Sequence, residues 1–253
     1  MIYDLQKAGS LKRVSAFLLD FIMLISLTVG LASLMSWAFG FDRHYDTMND
    51  GFEAYEQQYG VVFDITQEEY KAKSEADRQL YDDAYKALIS DTEVVYAYNM
   101  VFNLTLVIAT LSIFLSFLLL EFAVPMFVGN GQTLGKKIFA IGVMRTDGVR
   151  INGPLLFIRT VLGKFTIETM IPVLTFIMIF FNAIGILGAV IILGLLIAQV
   201  VSIIATRTNS TLHDLLAKTV AVDMSTQLIF GSEAELIAYK TKVNAEQVAK
   251  KPY

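Results

Sequence analysis

Long apolar segments, each longer than a helix in a soluble core requires, dominate the pattern of the chain. The first is nearly continuous over 14–39, and the second over 94–127. A third region, 172–206, contains 35 residues without a charge, although one span needs only ~20. Because Asn182-Ala-Ile-Gly185 is typical of a turn, we expect the chain to break there. The pattern therefore predicts about four transmembrane helices, at 14–39, 94–127, 155–181 and 185–206.

The charges beside these segments predict their orientation. Lys7, Lys12 and Arg13 precede the first span, and Arg207 and Lys218 follow the last. The positive-inside rule then places both termini in the cytoplasm and the loop 41–93 outside it. That loop carries 14 acidic and 5 basic residues. The first apolar segment is too long for the ~7–15-residue core of a cleaved signal peptide, so we interpret it as a retained span.

The polar segments predict short local structures. Thr66-Gln-Glu-Glu69 has the spacing of a capping box and predicts a helix that continues toward Ser90, and Ser90-Asp-Thr-Glu93 predicts a second such box at the start of the second span. After Gly129-Asn-Gly131 we expect a short amphipathic helix, and then a hairpin of 138–145 with 149–152. Ser232-Glu-Ala-Glu235 predicts a helix in a polar tail that the bundle does not need.

Together these features predict an all-α integral membrane protein. It is a small bundle of about four transmembrane helices with an extracytoplasmic helical loop and a small cytoplasmic-face amphipathic and hairpin segment. We expect one transmembrane domain over 1–222, with the acidic loop 41–93 inserted in it. Residues 223–253 form a polar cytoplasmic tail.

The composition excludes several classes of chemistry. The chain has 253 residues, 55% hydrophobic, with no cysteine and two histidines. It therefore has no disulfide framework, thiol nucleophile or thiolate metal site, and few histidine ligands. A phosphate loop is excluded because Asn130 occupies the first glycine position and Lys137 stands where Ser or Thr belongs. We expect no enzymatic activity, no cofactor, no bound metal and no nucleic-acid partner.

Two acidic residues within the apolar segments are candidates for ion or proton binding. Asp20 lies inside the first span, where a carboxylate costs at least ~2.5 kcal/mol on insertion scales. In the second span, Asn103, Thr110 and Glu121 share one helical face. One interpretation is hydrogen bonding between helices; the other is a polar path along which Asp20, Glu121, Asn103 and Thr110 bind protons or small cations.

Three sequence blocks carry a resemblance to a known family. They are Arg13 with Asp20, Gly131-Gln-Thr-Leu-Gly-Lys136, and Leu212-His-Asp-Leu-Leu-Ala217. In order and spacing they resemble the RDD family of small bacterial membrane proteins, which is named for one arginine and two aspartates. The resemblance covers about 10–222 apart from the loop. It implies that the structural motif comprises Arg13, Asp20, Gly135, Lys136, His213 and Asp214.

The resemblance implies a bacterial cell membrane and, as proposed for some members, cation/proton antiport. We therefore expect a multi-pass cation/proton transporter that uses a membrane-embedded aspartate. The alternative is a non-enzymatic accessory, assembly or envelope-sensing protein acting through a protein partner. The expected partners are the lipid bilayer, monovalent cations and protons, and either a second copy of the chain or another membrane protein. We also hypothesise that Arg13 pairs with Asp214 and joins the two ends of the chain.

Overall fold

The computed structural model describes residues 5–249, and most of this chain is helical. In chain order the elements are α1 (Ser10–Phe39), α2 (Phe41–Tyr59), α3 (Gln67–Ala72), α4 (Glu75–Ser90), α5 (Thr92–Val128), α6 (Leu134–Ile138), β1 (Ile141–Arg145), α7 (Gly153–Phe180), α8 (Gly185–Ala205), α9 (Leu212–Leu216), β2 (Thr219–Asp223) and α10 (Glu233–Ala249).

Four helices among the described residues, α1, α5, α7 and α8, are long and apolar enough to cross a membrane. They begin and end within four residues of the predicted bounds. The predicted break between the last two is present, because α7 ends at Phe180 and Asn182 has a left-handed φ of 55°. Both α5 and α7 contain a π-helical part, over Leu118–Ala123 and Ile158–Met170. Such insertions are common at functional sites.

The chain divides into two compact units, which we describe separately. One, the loop unit, is Val29–Ser112. The other, the motif unit, comprises the described residues up to Thr28 and from Ile113 onward. All three sequence blocks of the resemblance belong to the motif unit.

In the loop unit, α2 and α4 pack together around aromatic side chains. The ring of Phe63 makes edge contacts with Phe52, Tyr81 and Tyr85. The predicted capping box at Thr66 is confirmed, since the Thr66 and Glu69 side chains each accept a backbone N–H of the other.

Two details of the predicted helix starts in this unit are wrong. The single helix expected from Thr66 to Ser90 is two helices, because the chain becomes extended at Lys73 and Ser74 caps α4. The cap at the start of α5 is Asp91 rather than Ser90, because the Asp91 carboxylate accepts the N–H groups of Glu93 and Val94.

A two-stranded antiparallel sheet lies in the motif unit. β1 pairs with β2, with Ile141 opposite Asp223 and Arg145 opposite Thr219. The predicted hairpin is present at its turn, where the Arg145 N–H donates to the Val149 carbonyl oxygen and Met144 bridges Arg150, but the strand that pairs along β1 is β2 and not 149–152. β2 pairs with β1 because its alternating apolar side chains pack against that strand. Val220 and Val222 are fully buried beside Met144.

The beginning of the predicted polar tail packs on this region. Phe230 and Leu236 are buried with Val149. The predicted helix start is confirmed, since Ser232 accepts the N–H of Glu235 at the start of α10. The tail is therefore anchored through apolar contacts on one side of α10.

Two adjacent positions in α10 test this anchoring. Leu236 is 7% exposed and Ile237 is 62% exposed. We predict that Leu236→Asp releases α10, because an unpaired carboxylate cannot be buried without a cost of several kcal/mol. Trypsin should then cleave the tail several-fold faster than in the wild type. Ile237→Asp is the matched control and should leave the cleavage rate unchanged; equal acceleration in both variants would contradict the packing.

Candidate functional site

A cluster of ionisable side chains lies inside the motif unit. The long helices α1, α5 and α7 and the short helices α6 and α9 contribute to it. Because charges are costly to remove from water, such a cluster requires partners for its members. Its members are Arg13, Asp20, Glu121, Lys136, Arg159, Lys164, Glu168, His213 and Asp214.

Asp20 joins α1 to the first turn of α6. Thr133 Oγ1 donates a hydrogen bond of 2.5 Å to Asp20 Oδ2, and the Gly135 N–H donates one of 2.8 Å to Oδ1. Thr133 is also the N-cap of α6 and accepts the Lys136 N–H. The aspartate therefore satisfies a backbone donor that the start of a helix leaves free, and it fixes α6 against the long helix.

The close contact between α6 and α1 requires a glycine at position 135. A Cβ atom at this position would lie 2.4 Å from the Ala16 carbonyl oxygen and 2.8 Å from Asp20 Oδ1. No side chain fits there without separating α6 from α1. This accounts for the glycine in the Gly131–Lys136 block.

Asp214 is bound by Arg159 and not, as hypothesised, by Arg13. Arg159 Nε donates to Asp214 Oδ1 over 2.9 Å, and the two side chains are only 4% and 3% exposed. Arg13 instead donates to the carbonyl oxygen of Asn209 over 2.9 Å. The hypothesis failed because Arg159 reaches Asp214 from inside the bundle.

Two threonines complete the surroundings of Asp214. Thr211 Oγ1 donates to Oδ2 over 3.0 Å, and Thr219 Oγ1 donates to Oδ1 over 3.1 Å. Burial acts to raise the pKa of Asp214, but the positive charge of Arg159 outweighs it and holds that pKa below its usual range. Asp214 is therefore ionised in the folded protein.

His213 links the same pair to α7. Its Nδ1 lies 2.8 Å from Glu168 Oε2, and its Nε2 lies 3.1 Å from Arg159 Nη2. Burial lowers the pKa of His213, which favours the neutral ring. We assign the proton to Nδ1, because Glu168 can only accept there and Arg159 can only donate at Nε2.

Glu121 and Lys164 form a second buried ion pair, between the π-helical parts of α5 and α7. Lys164 Nζ lies 2.5 Å from Glu121 Oε1. Glu121 Oε2 is buried and has no hydrogen-bond partner among the described residues. The carboxylate is therefore only half satisfied.

Lys136 has a buried ammonium group without a hydrogen-bond partner in the described part of the chain. Burial lowers its pKa to about 8, although the Glu121 and Asp20 carboxylates act in the opposite direction. Lys136 is thus the least satisfied cation of the cluster.

The other two predicted ion-binding residues, Asn103 and Thr110, belong to the loop unit. Asn103 is exposed and Thr110 is half-buried. Their predicted part in ion binding, like that of Asp20 and Glu121, stays a prediction. Arg159, Lys164 and Glu168 were not among the predicted site residues.

Two cavities adjoin the cluster and differ in charge. The first, which we call the basic chamber, has a volume of about 420 Å³ and is lined by Arg13, Lys136, Arg159 and Lys164 with only two carboxylates, Asp20 and Asp214. The second, the acidic chamber, has a volume of about 550 Å³ and is lined by Asp20, Glu121 and Glu168 with a single cation, Lys164. Asp20 and Lys164 border both chambers. The remaining walls of the acidic chamber are mostly apolar.

The contact at Gly135 yields a prediction about stability. Gly135→Ala should destabilise the protein by about 1–3 kcal/mol, the usual cost of overpacking, and lower its Tm in detergent. Gly194→Ala is the control, because a Cβ atom at Gly194 meets nothing within 4 Å and alanine favours a helix. A Gly135→Ala variant as stable as the control would contradict the close contact between α1 and α6.

A comparison with protein families identifies a relationship. The RDD family model matches residues 7–218, which is most of the chain. No curated protein and no solved structure matches the sequence. The match includes all three blocks and extends through the elements that carry the charged cluster, so the chain is a membrane protein that belongs to the RDD family.

Proposed function

We propose that the chain is a non-enzymatic carrier that exchanges small monovalent cations for protons across a bacterial plasma membrane. In this proposal both termini are cytoplasmic and the segment 41–93 is outside. The observation that carries the proposal is the acidic chamber, where three carboxylates face one ammonium group inside the apolar part of the chain.

The charge balance of the acidic chamber favours a cation as its ligand. Lys164 contacts Glu121, and the Glu168 carboxylate is engaged by the neutral His213 ring. The chamber therefore keeps an excess of negative charge. In surroundings of low dielectric constant this excess attracts a small cation more strongly than in water.

Glu121 supplies a physical link between cation and proton. Its free Oε2 can bind an entering cation while Oε1 contacts Lys164. A proton and a small cation compete for this carboxylate, because either one neutralises its charge and only one of them can occupy Oε2. This competition is the exchange that an antiporter requires.

In the proposal Asp20 positions the site, since both its oxygens already accept hydrogen bonds. This differs from the role expected from the sequence, in which Asp20 itself binds the ion. The two roles make different predictions for the same variants.

Flux measurements in proteoliposomes test the proposal. We expect proton-coupled uptake of sodium, potassium or lithium with the wild type. Glu121→Gln should reduce it by roughly two orders of magnitude, because the amide keeps the shape of the side chain and removes its charge. Asp20→Asn should retain flux if Asp20 only positions α6.

Glu68→Gln is the matched control, because Glu68 is an exposed acid of the loop unit. It should leave flux unchanged. No flux with wild-type protein for any of the three cations would contradict the proposal, as would full flux in a folded Glu121→Gln variant.

The alternative role, as an accessory protein with a protein partner, has one observation in its favour. The acidic segment forms three helices with its own aromatic packing around Phe63, so it presents a folded surface and not a simple connection. An accessory protein of this kind would show no flux in the same vesicles.

A further inference from the structure

The basic chamber has an excess of positive charge that the chain does not neutralise there. Four cationic side chains line it, and only two carboxylates face them. Both carboxylates are already engaged: Asp214 accepts from Arg159, and Asp20 accepts from Thr133 and Gly135. Lys164 is paired with Glu121, and Arg13 donates to the Asn209 carbonyl oxygen, so Lys136 is the cation of this lining that lacks an acceptor among the described residues.

Lys136 is the clearest sign of a missing acceptor. Lys136 lines this cavity, and its Nζ is buried and has no hydrogen-bond partner among residues 5–249. An ammonium group has three donors, and leaving all three unsatisfied away from water is costly. The charge and the donors of Lys136 both indicate an anionic ligand with several oxygens.

We propose that the basic chamber binds a phosphate group, either as the free anion or as the headgroup of an anionic lipid. Lys136 supplies a point charge to the phosphate oxygens, and the Arg13 guanidinium supplies planar donors that match them. The volume of about 420 Å³ lies within the usual range of ligand sites. This site is separate from the cation site of the proposed transport and does not depend on it.

The walls of the chamber allow access from the surface of the helices. Val14 and Phe17 of α1 line the cavity and are each 54% exposed. On α8, Ile203 lines it as well. A phosphate on a lipid can thus occupy the chamber while its acyl chains remain beside these apolar residues, and a free phosphate can occupy the same position.

Thermal unfolding of the full chain tests the proposal and identifies the source. In a neutral detergent, inorganic phosphate is titrated against chloride at equal ionic strength. In a second arm, the protein is compared in phosphatidylcholine nanodiscs with and without phosphatidylglycerol. A ligand that binds only the folded state raises the Tm.

The adjacent lysines Lys136 and Lys137 provide the test variant and its control. Lys136→Gln should weaken the apparent affinity at least about tenfold, since a charged hydrogen bond is lost, whereas Lys136→Arg should retain binding. Lys137→Gln is the matched control, because Lys137 is the exposed neighbour. If Lys136→Gln does not fold, Arg13→Gln takes its place, since Arg13 is only half-buried.

The two arms distinguish a free phosphate from a lipid headgroup. A Lys136-dependent rise in Tm with inorganic phosphate supports the free anion, and one with phosphatidylglycerol alone supports the lipid headgroup. No rise in either arm would overturn the proposal, as would an equal rise in Lys136→Gln or Arg13→Gln. The readout is binding and not flux, so the transport proposal can fail while this one stands.

Discussion

The buried pair of Arg159 and Asp214 is the interaction on which the rest of the motif unit depends. It joins α7 to α9 inside the protein, where both side chains are almost fully buried. Removing one member of such a pair typically costs about 3–5 kcal/mol, because the other is left buried and unpaired. The close approach of these elements requires Gly163, since a Cβ atom there would lie 2.5 Å from His213 Cβ. The glycine, the histidine and the ion pair therefore form one packed unit.

This pair is connected to both cavities. His213 contacts Glu168, which lines the acidic chamber, and Arg159 lines the basic chamber together with Lys136. The cluster as a whole is nearly balanced, but its positive and negative members are segregated between two cavities. This segregation is the basis of both proposals, a cation site in one cavity and a phosphate site in the other. Lys164 and Asp20 line both cavities.

The sequence predicted those features that depend on length and local pattern. The apolar segments gave the long helices, and the turn at Asn182 separated the last two. The Thr66 cap was confirmed for the same reason, because a capping box needs only four consecutive residues. The resemblance identified Asp20, Gly135 and Asp214, and the structure places the first two in direct contact.

Sequence reasoning missed the features that depend on distant contacts or on an unusual helical period. Arg159 and Lys164 are five residues apart, which places them on different faces of an α-helix. In the π-helical part of α7 the backbone hydrogen bonds join residues five apart, which brings such residues closer to one face, so both side chains reach the cluster. Similarly, β1 pairs with a strand more than seventy residues away, and no local signal could have selected it over the nearby residues 149–152.

A double-mutant cycle measures the central interaction most directly. The free energy of unfolding in bicelles would be compared for Arg159→Gln, Asp214→Asn and the double variant, and in parallel for Arg13→Gln with Asp214→Asn. We predict a coupling energy of about 2 kcal/mol or more between Arg159 and Asp214, and a much smaller one between Arg13 and Asp214. A coupling that is equal or larger for Arg13 would show that the first helix, and not α7, holds Asp214, and would contradict the account.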